Sequence, residues 1–249
     1  MNGDRRQDLG DLWASGPRAV AMALDAGRVT KVYALRSSRE AASLAERAKA
    51  SGLTVEFVPR EALHRLVGPH HQGVAARLAA SPAKELGELL DAACERKDPV
   101  IVVLDHLQDP HNVGAVARSA EAFGASGLVL ARRRAAGLTP GAMKASAGAL
   151  SVLPTAQVAN IAQAVDVMKG RGLWVVAADP GGEADLADVD LRGPVAIVIG
   201  GEGEGVSRLV RERSDVRARL ATGGAMPSLN ASVAAGIFLY ETFRQRRGS

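Results

Sequence analysis

The sequence predicts an α/β fold, a mostly parallel sheet with helices on both faces, preceded by a smaller α/β unit. Three observations support this. Apolar runs such as Val100–Leu104 and Val195–Ile199 are continuous rather than alternating, as in strands covered on both sides. Stretches of helical period lie between such runs. Glycine, proline and capping residues punctuate the boundaries between the two.

Taken in order, Pro17 to Ala26 reads as a helix stopped by Gly27, and Thr30 to Leu35 as a strand. Arg39 to Ala50 is a helix ending near Gly52, Leu53 to Val58 a strand, Glu61 to Leu66 a short helix and Gly73 to Leu78 a strand. Together these make a small α/β unit, placed at residues 9–80, of roughly domain size. The charged segment 81–98, with one helical stretch, reads as a linker. The second unit, 99–249, holds strands at Val100–Leu104, Gly127–Leu130, Leu173–Ala177 and Val195–Ile199. Its helices fall after Pro110, at Ile161–Met168, at Val206–Glu212 and at Ser228–Arg244, the last with Val233, Ile237 and Tyr240 on one face.

Composition bounds the class. With 249 residues, 47% of them hydrophobic, the chain can bury real cores. A net charge of +4, carried mainly by arginine, and a pI near 9.6 favour an anionic partner without specifying one. Only 3% of residues are aromatic, which argues against a surface that stacks single-stranded bases in series. Cys94 is the sole cysteine, so internal disulfides and multi-cysteine zinc sites are excluded, and a reducing cytoplasm fits. His64, His70, His71, His106 and His111 lack the spacing of a helical metal pair and read as turn or surface residues. No apolar run approaches the roughly 20 residues of a membrane span, so a soluble, cytoplasmic protein without membrane partners is expected.

Three turns carry the chemistry. In Asp109-Pro-His-Asn-Val-Gly-Ala-Val-Ala-Arg118 a strand ends and a helix begins, capped by Asp109 with Pro110 at its first position. Val113, Val116, Ala117 and Ala120 form its packed stripe, and Arg118 lies beside it. That placement suits a ligand at the carboxyl edge of a parallel sheet. It equally suits an ordinary helix start with a snorkelling arginine, and the segment alone leaves both open.

The second turn, Ile199-Gly-Gly-Glu-Gly-Glu-Gly205, allows close approach of a ligand to the main chain. It matches neither the phosphate loop nor the dinucleotide fingerprint, and Glu202 and Glu204 would repel phosphate. A neutral or cationic ligand such as an adenosine bearing a sulfonium fits better, although the loop taken alone reads first as a tight, solvated strand-to-helix turn. The third, Gly223-Gly-Ala-Met-Pro-Ser-Leu-Asn230, opens the final helix, with Ser228 as natural N-cap. Parallel strands would bring the turns to one sheet edge.

Asn112-Val-Gly-Ala-Val-Ala-Arg118, Ile199-Gly-Gly-Glu-Gly-Glu-Gly205 and Ser228-Leu-Asn-Ala-Ser-Val-Ala234 resemble, in order and spacing, the three motifs of the SpoU, or TrmH, family of RNA ribose 2′-O-methyltransferases in the SPOUT class. Gly16-Pro-Arg-Ala-Val20 and His71-Gln-Gly-Val74 are similar to the small ribosomal-protein-like domain of its RlmB branch, and Lys144-Ala-Ser-Ala-Gly148 to a further family segment. The resemblance covers nearly the whole chain.

It implies a C-terminal trefoil knot, a topology rare enough that general chain rules exclude it. It further implies S-adenosylmethionine as cofactor, a homodimer, and RNA as substrate, with a guanosine of large-subunit (23S) ribosomal RNA the best match and tRNA a second. By motif position Gly200, Leu220 and Leu229 would contact the cofactor, and Asn112, Arg118, Glu202, Ser228 and Asn230 would form the catalytic set. Arg118, Lys144, Arg132 and Arg133 would contact RNA, and the tail Arg244-Gln-Arg-Arg247 could add phosphate contacts, although the Arg132–Arg134 run and the tail, each taken singly, read first as solvated charge. Where the branch often has Ile-Pro-Met, this chain has Leu220-Ala-Thr222, and Pro227 precedes Ser228, so the shape of the cofactor loop is open. The rival readings are a tRNA or resistance-type rRNA methyltransferase of the same family, a nucleotide-dependent oxidoreductase, and a non-catalytic RNA-binding protein.

Overall fold

The computed structural model describes residues 12–79, 84–132, 135–224 and 228–247. Arg133, expected at the RNA, and Pro227 fall outside them. The chain divides into two compact units, with the division after Pro82.

The first unit runs β1 (Trp13–Ser15), α1 (Pro17–Asp25), β2 (Val29–Ala34), α2 (Arg39–Ala50), β3 (Thr54–Phe57), α3 (Arg60–Val67) and β4 (Val74–Leu78). Its sheet has the order β1-β4-β2-β3, antiparallel except for the β2/β3 pair. Local chemistry sets the helix ends. Ser38 Oγ accepts from the Ala41 amide at 3.3 Å, Glu40 lies in the first turn of α2, and Arg47 and Lys49 lie in its last turn, where the helix dipole favours them. His71, expected in a turn or at the surface, is fully buried. Its Nδ1 accepts from the Gly73 amide at 2.9 Å, its ring meets that of His64 at 4.9 Å, and burial, then His64 and Arg60, hold it below the ordinary imidazole range.

The second unit begins with α4 (Leu86–Cys94). Leu89, Leu90 and Ala93 of α4 sit in the core with Ile101 and Val129, so the segment read as a linker supplies a packed helix of this unit. There follow β5 (Val100–Asp105), α5 (Pro110–Ala122), β6 (Gly127–Ala131), α6 (Pro140–Ala145), β7 (Thr155–Val158), α7 (Ile161–Gly170), β8 (Trp174–Ala178), β9 (Ala184–Asp185), β10 (Val195–Gly200), α8 (Arg208–Arg213), β11 (Val216–Arg219) and α9 (Ala231–Arg246). The sheet, ordered β7-β6-β5-β10-β8-β11-β9, is parallel throughout. Its inner strands β5, β6 and β10 are buried along almost their whole length, which explains their unbroken apolar sequences.

Two contacts position the site. A Cβ on Gly114 of α5 would lie 2.5 Å from the Ala142 carbonyl oxygen, so only glycine lets α6 approach α5 this closely. Phe238 and Leu239 bury the inner face of α9. At its far end Arg246 donates to the carbonyls of Leu191, Asp98 and Gly193 at 2.9, 2.6 and 2.6 Å. Arg246 is thus a structural clamp rather than the expected phosphate contact, and Arg244 pairs with Glu241 at 2.7 Å.

Candidate functional site

Parallel pairing of β5 with β10 and of β10 with β8 brings the turns after these strands to one sheet edge. The turn after β5 is fixed by Asp105, whose side chain is wholly buried. Its carboxylate accepts from the Ser207 amide at 2.7 Å and meets His106 Nδ1 at 2.6 Å, while its carbonyl accepts from the Gly201 amide at 3.0 Å. The glycine loop after β10 is thereby tied to the end of β5. It also closes on itself, the Gly205 amide donating to the Gly201 carbonyl at 3.1 Å. A Cβ on Gly200 would lie 2.0 Å from the Gly205 carbonyl carbon, so no other residue fits this closure.

From that edge α5 begins, with the Asp109 carboxylate accepting from the His111 amide at 2.9 Å. The next residue, Asn112, is 9% exposed and connects the other two turns. Its Nδ2 donates to Glu202 Oε1, and its Oδ1 accepts from Asn230 Nδ2 at 3.2 Å. Asn230 in turn caps α9, its Oδ1 accepting from the Ser232 amide at 2.9 Å and hydroxyl at 2.6 Å and the Val233 amide at 3.3 Å. The helix therefore starts at Ala231, three residues later than expected, with Asn230 rather than Ser228 as its cap. The result is a directed chain of hydrogen bonds from the amino end of α9 through two amides to the Glu202 carboxylate.

Beside this chain lies a cavity of about 560 Å³, within the usual range for small-molecule sites. Gly200, Glu202, Leu220, Ser228, Leu229 and Asn230 all line it, so these expected residues are brought together. Arg118 is not in the lining. Six positions beyond Asn112, it is ~9 Å further along α5 and a third of a turn around. It is exposed and has no hydrogen bond or ion pair with any described residue. Lys144 is exposed on α6, and Arg132 is exposed with its Nη2 donating to the Gln157 carbonyl at 3.2 Å. Sequence reasoning missed Asp105, whose place at the end of an apolar strand was its only signal. It also missed Asp179, which follows β8 in a Pro-Gly-Gly turn and lines the cavity.

Carboxylates at Glu202, Glu204 and Asp179 make the wall acceptor-rich. Such a wall, with a tight glycine loop and apolar Leu220, Leu229 and Phe238, suits an adenosine carrying a cationic sulfonium. Among the described residues no cluster of His, Cys, Asp and Glu could hold a metal ion.

Family models match both units: residues 99–240 the SpoU rRNA methylase family, and residues 13–84 the RNA 2′-O ribose methyltransferase substrate-binding domain. A putative TrmH family tRNA/rRNA methyltransferase of Bacillus subtilis is 45% identical over 83% of this chain and 84% of its own length. The 23S rRNA (guanosine-2′-O-)-methyltransferase RlmB of Coxiella burnetii is 38% identical over 93% of this chain and 94% of its own length. The crystal structure of the SpoU methyltransferase AviRb from Streptomyces viridochromogenes with AdoMet superposes with a TM-score of 0.79 at 27% identity, covering 100% of this chain and 95% of that one.

Proposed function

This chain belongs to the SpoU rRNA methylase family and is an S-adenosylmethionine-dependent RNA ribose 2′-O-methyltransferase, and we propose that its target is a guanosine of large-subunit ribosomal RNA. The observation that carries the reading is the hydrogen-bonded set Asn112, Glu202 and Asn230 at the mouth of the glycine-closed cavity. The likeness to the C. burnetii enzyme over nearly the whole chain supports the choice of a 23S guanosine.

S-adenosylmethionine supplies an electrophilic methyl group on a sulfonium. The protein's part is to hold that group, present a ribose hydroxyl to it and manage the proton. We assign Gly200, Leu220 and Leu229 to the cofactor, through the loop backbone and apolar contact. Asn112 and Asn230 orient the Glu202 carboxylate, an acceptor at the cavity wall, and Ser228 flanks it. Arginine holds its proton at any working pH, so Arg118 acts as a cation rather than a base. It binds the phosphate next to the target ribose and steadies the developing alkoxide, and that phosphate takes the proton the 2′-hydroxyl loses. Its position outside the cavity lining and its lack of any partner among the described residues support assigning it to the RNA. We assign the exposed Lys144 and Arg132 to RNA as well, and residues 13–84 to binding of the substrate.

Two further features belong to this reading. The second unit is a trefoil knot, supported by the insertion of β10 between β5 and β8 and the return of α9 onto α5. The protein is a homodimer that uses the outer face of α9, where Val233, Ile237 and Tyr240 are 51, 39 and 53% exposed. No helix among the described residues is long and apolar enough to cross a membrane, and we place the enzyme in the cytoplasm with its RNA.

The test is incubation with labelled S-adenosylmethionine and unmodified total RNA, followed by mapping of the methylated ribose. Label in 23S rRNA is expected. Label in tRNA alone overturns the substrate, and transfer to no RNA overturns the enzyme.

A further inference from the structure

One cross-strand row of the first unit's sheet faces solvent. Side chains alternate across a strand, so residues paired in register share a face. Trp13 of β1 pairs with Arg77 of β4, Arg77 with Lys31 of β2, and Lys31 with Thr54 of β3, a row that crosses all four strands. The opposite face is closed, with Ala14, Ala76 and Val32 buried on the side of α1 and α2. On the near face α3 covers the next row, where its Leu63 and Ala75 of β4 share one buried cluster. The outer row lies beyond that cover: Arg77 and Thr54 are exposed, and Trp13 and Lys31 partly so.

That row combines an aromatic face with cations. Trp13 is braced, packing against the cluster of Leu35, Leu63 and Ala75 and meeting the Tyr33 ring at 5.4 Å with the planes tilted by 52°. A braced, partly open indole is a rigid stacking surface. Lys31 Nζ stands 4.8 Å over the Tyr33 ring and is paired with Glu56 Oε2 at 2.7 Å, so its charge is partly offset. Arg77 is the cation next to the indole. Neighbouring strands lie ~5 Å apart, so a base on Trp13 leaves its phosphate within reach of the arginine fork. An acidic peptide would use the cation and waste the indole, and an apolar helix would bury the cation. An unpaired nucleotide uses both. The low aromatic content of the chain excludes a series of stacked bases, but one base needs only one ring.

We propose that Trp13 and Arg77 form a subsite for one unpaired nucleotide of the RNA substrate, its base stacking on the indole and its phosphate held by the guanidinium. The proposal rests on the RNA reading above and gives residues 13–84 a defined contact surface.

The test is the affinity of the full chain for an unmodified 23S rRNA transcript by filter binding, with calorimetric binding of S-adenosylhomocysteine as the control. Trp13→Leu keeps an apolar side chain without a ring and is expected to weaken RNA binding about tenfold, whereas Trp13→Phe stays within about threefold of wild type. Arg77→Gln is expected to flatten the slope of log affinity against log salt by about 0.7, as for one single-strand phosphate contact. S-adenosylhomocysteine affinity should stay within about threefold throughout. Equal RNA affinity in Trp13→Leu and Trp13→Phe, or an unchanged salt slope in Arg77→Gln, overturns the proposal, and RNA binding undiminished in all three leaves the row to a protein partner. Wild-type protein that binds no rRNA overturns the RNA reading itself. Thermal unfolding reports whether each variant is folded, and if Trp13→Leu is not, Arg77→Gln carries the test from an exposed position.

Discussion

Replacing Asn112 by alanine removes a side chain that touches both other turns of the site. Two hydrogen bonds go with it, one to the Glu202 carboxylate and one from Asn230 at 3.2 Å. The first, to a charged acceptor, is worth about 1.5–3 kcal/mol and the second, between neutral amides, about 0.5–1.5 kcal/mol. Because Asn112 is only 9% exposed, water replaces these bonds poorly. A combined ~3 kcal/mol felt in the reacting complex lowers kcat/KM about 10²-fold. Stability changes little by comparison, since the cap of α5 is Asp109 and alanine is the better helix former. The assay is methyl transfer to unmodified ribosomal RNA, with S-adenosylhomocysteine affinity and thermal unfolding measured alongside. Asn112→Asp is the companion variant: it replaces the donor to Glu202 by a second carboxylate and is expected to be worse than alanine. A folded Asn112→Ala protein that transfers methyl groups within threefold of wild type would refute the role given to the amide chain.

The other expectations concern different parts of the molecule. Arg118→Ala should lose both RNA affinity and turnover while Arg118→Lys keeps part of the affinity; normal RNA binding by two inactive variants would show that the phosphate-anchor role is wrong. Ile237→Glu, which places a charge in the exposed apolar stripe of α9, should turn a dimer into a monomer by light scattering, and a wild-type monomer at micromolar concentration would remove the dimer proposal. His71 is held below the ordinary imidazole range mainly by burial, so the unfolded first unit binds the proton more readily than the folded one. Its stabilising share is present above about pH 6.5 and is lost as pH falls, so the protection of β4 amides, corrected for the intrinsic pH dependence of exchange, should fall from pH 7 to 5 in wild type but less in His71→Asn. Equal pH dependence in the two proteins would dispose of that account.

The inner strands were legible because burial on both faces leaves no polar alternation to confuse them. Helix ends at Gly27, Gly52 and Asp109 were legible because a cap is a local event. β11 was not, since Val-Arg-Ala-Arg has only Ala218 buried and becomes a strand by pairing with β8 and β9. β1 and β7 likewise depend on neighbours distant in sequence. In the site, the convergence of the glycine loop with Asn112 and Asn230 followed from the parallel order of the strands. The choice of Ser228 over Asn230 as cap did not resolve, because both residue types cap helices and they stand two apart. Asp179 looks in sequence like an ordinary Asp-Pro-Gly-Gly turn, and only its burial beside Arg211 and Arg217 sets it apart.

The bond between Asn112 and Glu202 spans 90 residues, and that between Asn112 and Asn230 spans 118. During synthesis, then, no shorter nascent chain has a site: α5 waits with its amide unpaired until β10 has entered the sheet and α9 has closed on it. Long-range closure of this kind is slow. The enzyme is accordingly silent through its own translation, and activity arrives as one late event rather than in increments.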